Sequence, residues 1–137
     1  MKVVIAGGGR FGENIAKRLA EKGVKVYVID INERICNKLS KVVPALIICG
    51  DACDPKTLNE VGMEDTDFFL AMTGNDELNI ICALLAKELG AKNVIVRINH
   101  PEHLEACKEL GIEETLSIYP ADLVARDIEK MILKEEG

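Results

Sequence analysis

Apolar residues along this chain collect in short runs of strand length: Val3–Ala6, Val24–Ile29, Ala45–Cys49, Phe68–Met72, Val94–Ile98 and, more weakly, Thr115–Tyr119. Between the runs the spacing changes to that of a helix. Phe11, Ile15 and Leu19 repeat at i, i+4 and i+8, as do Ile31, Ile35 and Leu39. Leu78, Cys82, Leu85 and Leu89 keep one stripe, and Leu104, Cys107 and Leu110 a shorter one. After Pro120, the positions Val124, Ile128, Met131 and Ile132 share a stripe flanked by Leu123 and Leu133, a broad apolar surface on a last helix. Proline stands where helices can begin, at Asp54-Pro55 and His100-Pro101.

Strands that are apolar on both faces and separated by helices fit a parallel sheet covered on both sides, because each right-handed crossover lays a helix on a sheet face. The pattern therefore predicts an α/β fold: a Rossmann-type doubly wound parallel sheet of six strands in the order 3-2-1-4-5-6. Its strand order reverses between the first and fourth strands, and a ligand crevice is expected there. At 137 residues the chain can bury one substantial core, so residues 1–137 read as a single domain.

Composition narrows the possible partners. The net charge of −6 comes from 17 Lys+Arg against 23 Asp+Glu, interspersed, so no basic stripe follows a phosphate backbone. With three Phe, two Tyr and no Trp there is little to stack on bases, and nucleic acid is not an expected partner. No apolar run approaches the roughly 20 residues of a membrane helix, so direct membrane insertion is not expected. The opening residues Met1–Gly7 enter a strand without a signal-peptide pattern, and a cytosolic location is the expectation. Cys36, Cys49, Cys53, Cys82 and Cys107 form no Cys-x-x-Cys pair and read as structural, three of them as reduced thiols among apolar neighbours.

The chemistry concentrates at the ends of the predicted strands. Gly7, Gly9 and Gly12 supply Gly-x-Gly-x-x-Gly directly after the first strand and at the opening of a helix. Gly7 permits a tight turn, Gly9 lets backbone approach a pyrophosphate, and Gly12 lets the helix lie close to the strand. Arg10, beside Phe11 in this turn, either neutralises pyrophosphate or is a solvated surface charge. Asp30 ends the second strand eighteen residues beyond Gly12, where a carboxylate accepts from ribose hydroxyls and repels a 2′-phosphate. NAD or NADH is therefore the expected cofactor, ahead of NADP, with ATP or ADP admissible in the same pocket. The competing role for Asp30 is an N-cap for the helix from Ile31 onward.

Further along, Asp51 and Ala52 follow the third strand, and Asp51 either accepts from the adenine amino group or caps the turn leading to Asp54-Pro55. Thr73, Gly74 and Asn75 follow the fourth strand across the crevice, with Asn79 one helical turn on; an N-cap at Asn75 or Asp76 explains the segment equally well. Arg97 ends the fifth strand, and its burial there requires an anionic partner such as a phosphate or a carboxylate. His100 and His103 have the spacing of a metal pair, yet no Cys or carboxylate set completes a site, and a surface turn is the better reading.

Taken together, the Gly7–Gly12 turn, Asp30, Gly50-Asp51-Ala52 with Asp54, the run Thr73-Gly74-Asn75-Asp76-Glu77-Leu78-Asn79, Arg97 with Asn99–His103, and Ser117–Pro120 resemble the KTN or RCK family across nearly the whole chain. Members of that family are NAD-binding regulatory domains of Trk and Ktr potassium transporters and related potassium channels. The resemblance implies a non-enzymatic cytosolic domain that pairs into a homodimer or a higher assembly of dimers on the inner face of a membrane-embedded potassium transporter subunit. Ligand binding would rearrange the paired domains, and the last helix, about 120–135, would serve as the dimerisation element. Many family members carry a second ligand-binding subdomain, whereas this chain stops at Lys134-Glu135-Glu136-Gly137, as expected of a minimal or truncated member. The alternative is the nucleotide-binding half of an NAD-dependent oxidoreductase, although no Tyr-x-x-x-Lys or comparable catalytic set is visible.

Overall fold

The computed structural model describes residues 1–113 and 116–134. Strands and helices alternate as β1 (Lys2–Ala6), α1 (Arg10–Glu21), β2 (Lys25–Asp30), α2 (Glu33–Val42), β3 (Leu46–Cys49), α3 (Pro55–Val61), β4 (Phe68–Ala71), α4 (Asp76–Glu88), β5 (Asn93–Arg97), α5 (Glu102–Glu109), β6 (Ser117–Ile118) and α6 (Pro120–Leu133). The strands are parallel, in the order β3-β2-β1-β4-β5-β6 that the alternation predicts. Of the sixth predicted run, Thr115 lies outside the described residues, as do Glu135, Glu136 and Gly137 of the chain end.

The strand pleat divides the core into two layers. Val4 and Ala6 of β1 face α3, α4 and α5 with Leu58, Phe69, Ala83 and Cys107, whereas Val3 and Ile5 face α1 and α2 with Ala16, Val28 and Leu39. α3 carries no long stripe in the sequence, and it forms because Asp54 caps it, Pro55 opens it and Leu58 and Val61 are buried on its one inward side. Its far end is pinned by Lys2, whose ammonium donates to the Val61 and Gly62 carbonyls and pairs with the Asp65 carboxylate.

Three expectations change. Ile31 precedes α2 and is 73% exposed, because Asn32 caps the helix and turns the chain. The inward face of α4 is Asp76, Asn79, Ile80, Cys82, Ala83 and Ala86, with Leu78 turned outward, since small residues let this helix lie close to β4 and β5. Cover is also incomplete on the α1 face. Beyond α1, the side chains of Phe68, Leu70 and Ile95 border an apolar groove of about 560 Å³ that α6 meets with Pro120, Leu123 and Val124. No residue of α6 is buried.

Candidate functional site

At the carboxyl ends of the strands, α1 leaves on one face and α4 on the other, and a cavity of about 460 Å³ opens between them. The glycine turn forms its floor. Gly7 has φ +104°, a conformation that side chains rarely adopt, and its N–H donates to the Ile29 carbonyl at 2.8 Å. A Cβ at Gly12 would collide with the Gly7 carbonyl, whereas one at Gly9 would meet nothing within 4 Å. The turn is thus tight against β1 and open towards the cavity.

The helix ends differ in a way that matters here. Asn32, Asp54 and Asn75 cap α2, α3 and α4 with their side chains, whereas α1, whose N-cap position is Gly9, has no side-chain cap, as is also true of α5 and α6 away from the cavity. The first amides of α1 therefore remain available to an anion at the positive end of the helix dipole.

Asp30 supplies the acidic edge. One carboxylate oxygen accepts from the Gly8 N–H at 2.8 Å and the other from the Asn32 N–H at 2.8 Å. Asn32, and not Asp30, is the N-cap of α2, which removes the capping role considered for Asp30. Two backbone donors fix the carboxylate at the rim, and its remaining lone pairs can accept from a diol.

Around the rim, Asp51 accepts from the Cys53 N–H at 2.8 Å, forming its own turn while Asp54 caps α3. Asp51, Ala52, Thr73, Gly74 and Arg97 line the cavity with Gly7, Gly9 and Asp30. Arg10, Phe11, Gly12, Asn75 and Asn79 do not. Arg10 lies on the outer surface beside Glu13 and Asn14, Phe11 borders the apolar groove, and Asn75 caps α4 through the Leu78 N–H at 2.9 Å. Asn79 is fully buried: it accepts from the Thr73 N–H at 3.0 Å and donates to the Thr73 and Arg97 carbonyls at 3.0 and 2.9 Å. It ties together the ends of β4 and β5.

Arg97 is half-buried without an ion pair to a carboxylate among the described residues. Its guanidinium lies 3.9 Å from the Phe11 ring centroid, its Nε donates to Asn99 at 3.2 Å, and it borders both the cavity and the apolar groove. Burial works against its charge and the field of Asp76 partly restores it.

Asp76 and His103 were weighed in the sequence as a cap and as half of a metal pair, and the structure joins them. The buried Asp76 carboxylate accepts from the Asn99 and His100 N–H groups at 2.8 and 2.9 Å and stands 2.7 Å from His103 Nδ1. Burial pushes the Asp76 carboxyl up, but the bonds from His103, Asn99 and His100 outweigh it and hold it below its ordinary value. The same bond raises His103. This cluster fastens the β5–α5 loop to the start of α4.

Sequence reasoning also missed a covalent link in the cavity wall. Cys53 and Cys82 form a disulfide with Cα atoms 4.8 Å apart. The structural reading of the cysteines included no such bond, and spacing gives no signal for a partner 29 residues away. Cys36 and Cys107 are buried thiols, and burial with the neighbouring Cys49 pushes Cys36 up to about 11.

With this geometry in place, comparison with known proteins is decisive at the level of family. The TrkA-N domain model matches residues 3–118. The chain belongs to the TrkA-N domain family. It is 39% identical over 98% of its length to a Trk system potassium uptake protein TrkA homolog of Methanothermobacter thermautotrophicus, and 34% identical over its whole length to a TrkA homolog of Pyrococcus abyssi. It spans 61% and 66% of those proteins, and 30% of a TrkA homolog of Archaeoglobus fulgidus to which it is 36% identical. Among solved structures, the TrkA-N domain superposes on the NAD(P)-binding domain of an exopolyphosphatase-related protein from Archaeoglobus fulgidus with TM-score 0.85 at 21% identity, covering 96% of this chain and 97% of that one. The GsuK RCK domain matches with TM-score 0.78 at 24% identity, over 99% of this chain and 29% of that one. These structures share the fold of this TrkA-N domain.

Proposed function

We propose that this chain is a cytosolic regulatory domain that binds NAD or NADH, with ATP or ADP as competitors for the same pocket, and controls potassium uptake through a Trk/Ktr-type transporter. The observation that carries the reading is the Asp30 carboxylate, held at the rim by Gly8 and Asn32 beside an α1 terminus that has no side-chain cap. That pairing suits a ribose diol followed by a pyrophosphate, and disfavours a 2′-phosphate. Gly7 and Gly9 would hold the phosphates, and Asp51, Ala52, Thr73, Gly74 and Arg97 would surround the rest of the ligand. The relatives' names add potassium uptake, and the GsuK channel, a fold neighbour, is described as bound to NAD.

A sensing role is favoured over hydride transfer by the lining of the cavity. Its titratable or redox-active groups are Asp30, Asp51, Arg97 and the Cys53–Cys82 pair. None is a His, Lys or Tyr suited to shuttling a proton to a carbonyl substrate at neutral pH.

The apolar groove between α1 and α6, with Ile128, Met131 and Ile132 exposed further along α6, is the surface on which a second copy would pair. No described helix is long and apolar enough to cross a membrane, which suits a domain held peripherally by a transporter subunit. A ligand shifts such an assembly only by binding its two arrangements with different affinity.

Calorimetric titration with NAD, NADH, NADP, ATP and ADP tests the ligand. NAD or NADH should bind more tightly than NADP; absence of binding by every adenine nucleotide would overturn the proposal.

A further inference from the structure

The loop between β3 and α3 carries Asp51 and Ala52, and it meets α4 across the cavity at one covalent point. On the β2 side the loop is held by the Gly50 N–H, which donates to the Asp30 carbonyl at 2.9 Å. Within the loop, Asp51 bonds the N–H groups of Cys53 and Asp54 through its side chain and its carbonyl. Towards α4 it is fastened by Cys53 to Cys82, and both cysteines line the cavity. The bond therefore sets the width of the pocket between the loop and the helix that begins with the Asn75 cap.

The two sulfurs differ in access. Cys53 is half-buried on the loop, whereas Cys82 is 2% exposed within the α4 layer of the core. The Leu78 carbonyl oxygen lies 3.7 Å from Cys53 Sγ, an acceptor in place for a thiol once the bond is broken.

We infer that Cys53 and Cys82 form a reversible thiol–disulfide latch on the nucleotide pocket, opened by a low-molecular-weight thiol and closed by the corresponding disulfide. This rests on the nucleotide reading of the cavity and adds a mode of control to it. In opening, an external thiolate attacks the accessible Cys53 Sγ, the bond to Cys82 breaks, and Cys82 leaves as a thiolate that takes up a proton. A second thiolate attacks the external sulfur of the mixed disulfide and releases Cys53 as a thiolate, which is then protonated. The net change is protein disulfide plus two external thiols giving protein dithiol plus one external disulfide, and closing is the reverse.

The closed latch orders the Asp51 loop before ligand arrives, so less conformational freedom is lost on binding. The oxidised chain therefore binds NAD more tightly. By reciprocity, NAD shifts the thiol–disulfide equilibrium towards the closed form by the same factor.

The test is titration of NAD into the oxidised chain and into the chain reduced with excess glutathione, with the state of the cysteines read by intact mass and thiol counting. The expected result is a Kd at least about fivefold lower for the oxidised form. Cys53→Ser should bind as the reduced chain does under both conditions, while Cys49→Ser, outside the cavity lining, should keep the full redox response. Equal affinity in the two states overturns the latch, and so does tighter binding by the reduced form. A lower Tm on reduction with unchanged Kd makes the bond a stability staple and overturns it too, leaving the nucleotide reading intact. Binding of NAD by neither form defeats the nucleotide reading, and the latch falls with it.

Discussion

The Gly8 N–H donates to Asp30 Oδ2 at 2.8 Å, joining the glycine turn after β1 to the end of β2. One carboxylate thus shapes the turn proposed to receive phosphates and keeps lone pairs for the proposed ribose. Asp30→Ala should weaken NAD binding by about 1–3 kcal/mol, through loss of charge-assisted hydrogen bonds and loosening of the turn. Calorimetry on the folded variant measures this, and unchanged affinity would leave Asp30 a purely structural brace.

Gly12 faces the Gly7 carbonyl with no room for a Cβ between them. Gly12→Ala should cost about 1–3 kcal/mol of stability as α1 is pushed from β1. Chemical denaturation reads the change. Gly9→Ala, where a Cβ meets open space, should leave stability nearly intact and lower nucleotide affinity by crowding the phosphates.

Asp76 and His103 predict a pH profile. The His103 pKa is raised above its ordinary 6.5, so its stabilising contribution is complete below that pH and is lost as pH rises through the raised value. The Asp76 pKa is lowered below its ordinary 3.8, so its contribution is complete above that pH and is lost as pH falls through the lowered value. The pair therefore stabilises most between these ordinary values. Urea denaturation at about pH 5.5 and about pH 8.5 should show a loss at the higher pH that His103→Gln reduces. Equal pH dependence in the two proteins would remove the pair as its cause.

Buried Asp76 also holds the Asn99 and His100 amides. Asp76→Ala should destabilise the chain by about 2–4 kcal/mol, because both donors lose a buried acceptor. A change under about 0.5 kcal/mol, the range of an ordinary surface substitution, would show that water replaces the carboxylate at no cost.

Met131 and Ile132 are 77% and 72% exposed on α6. If this face pairs two copies, the double substitution Met131→Glu and Ile132→Glu should raise the dimer dissociation constant at least about tenfold, as read by sedimentation velocity. A wild-type chain that sediments as a monomer at high concentration would defeat the pairing.

Much of the molecule was legible before any coordinates. The switch between period 2 and period 3.6, with Gly7, Gly9 and Gly12 after the first strand, set the element types and the strand order, because local sterics and burial periodicity act within a few residues. Asp30 was legible for the same reason: a strand end has a fixed distance from the turn beside it. The side-chain roles that failed to read through are those decided between elements. Asn79 looked like a pocket residue, but it lies on the buried side of α4, bonded to Thr73 and Arg97. Arg97 was expected to need an anion; the fold lays it over Phe11 and at the edge of the cavity, a placement that spacing does not give.

The sequence by itself determined the α/β alternation, the glycine turn and the acidic strand end, since each is a short-range consequence of residue type and spacing. The tertiary structure alone decided which cysteines meet, which carboxylate holds His103, and that the α1 face of β4 and β5 is only partly covered by helices. Those outcomes depend on the angle and depth at which α4 and α6 pack on the sheet, quantities that no local spacing carries.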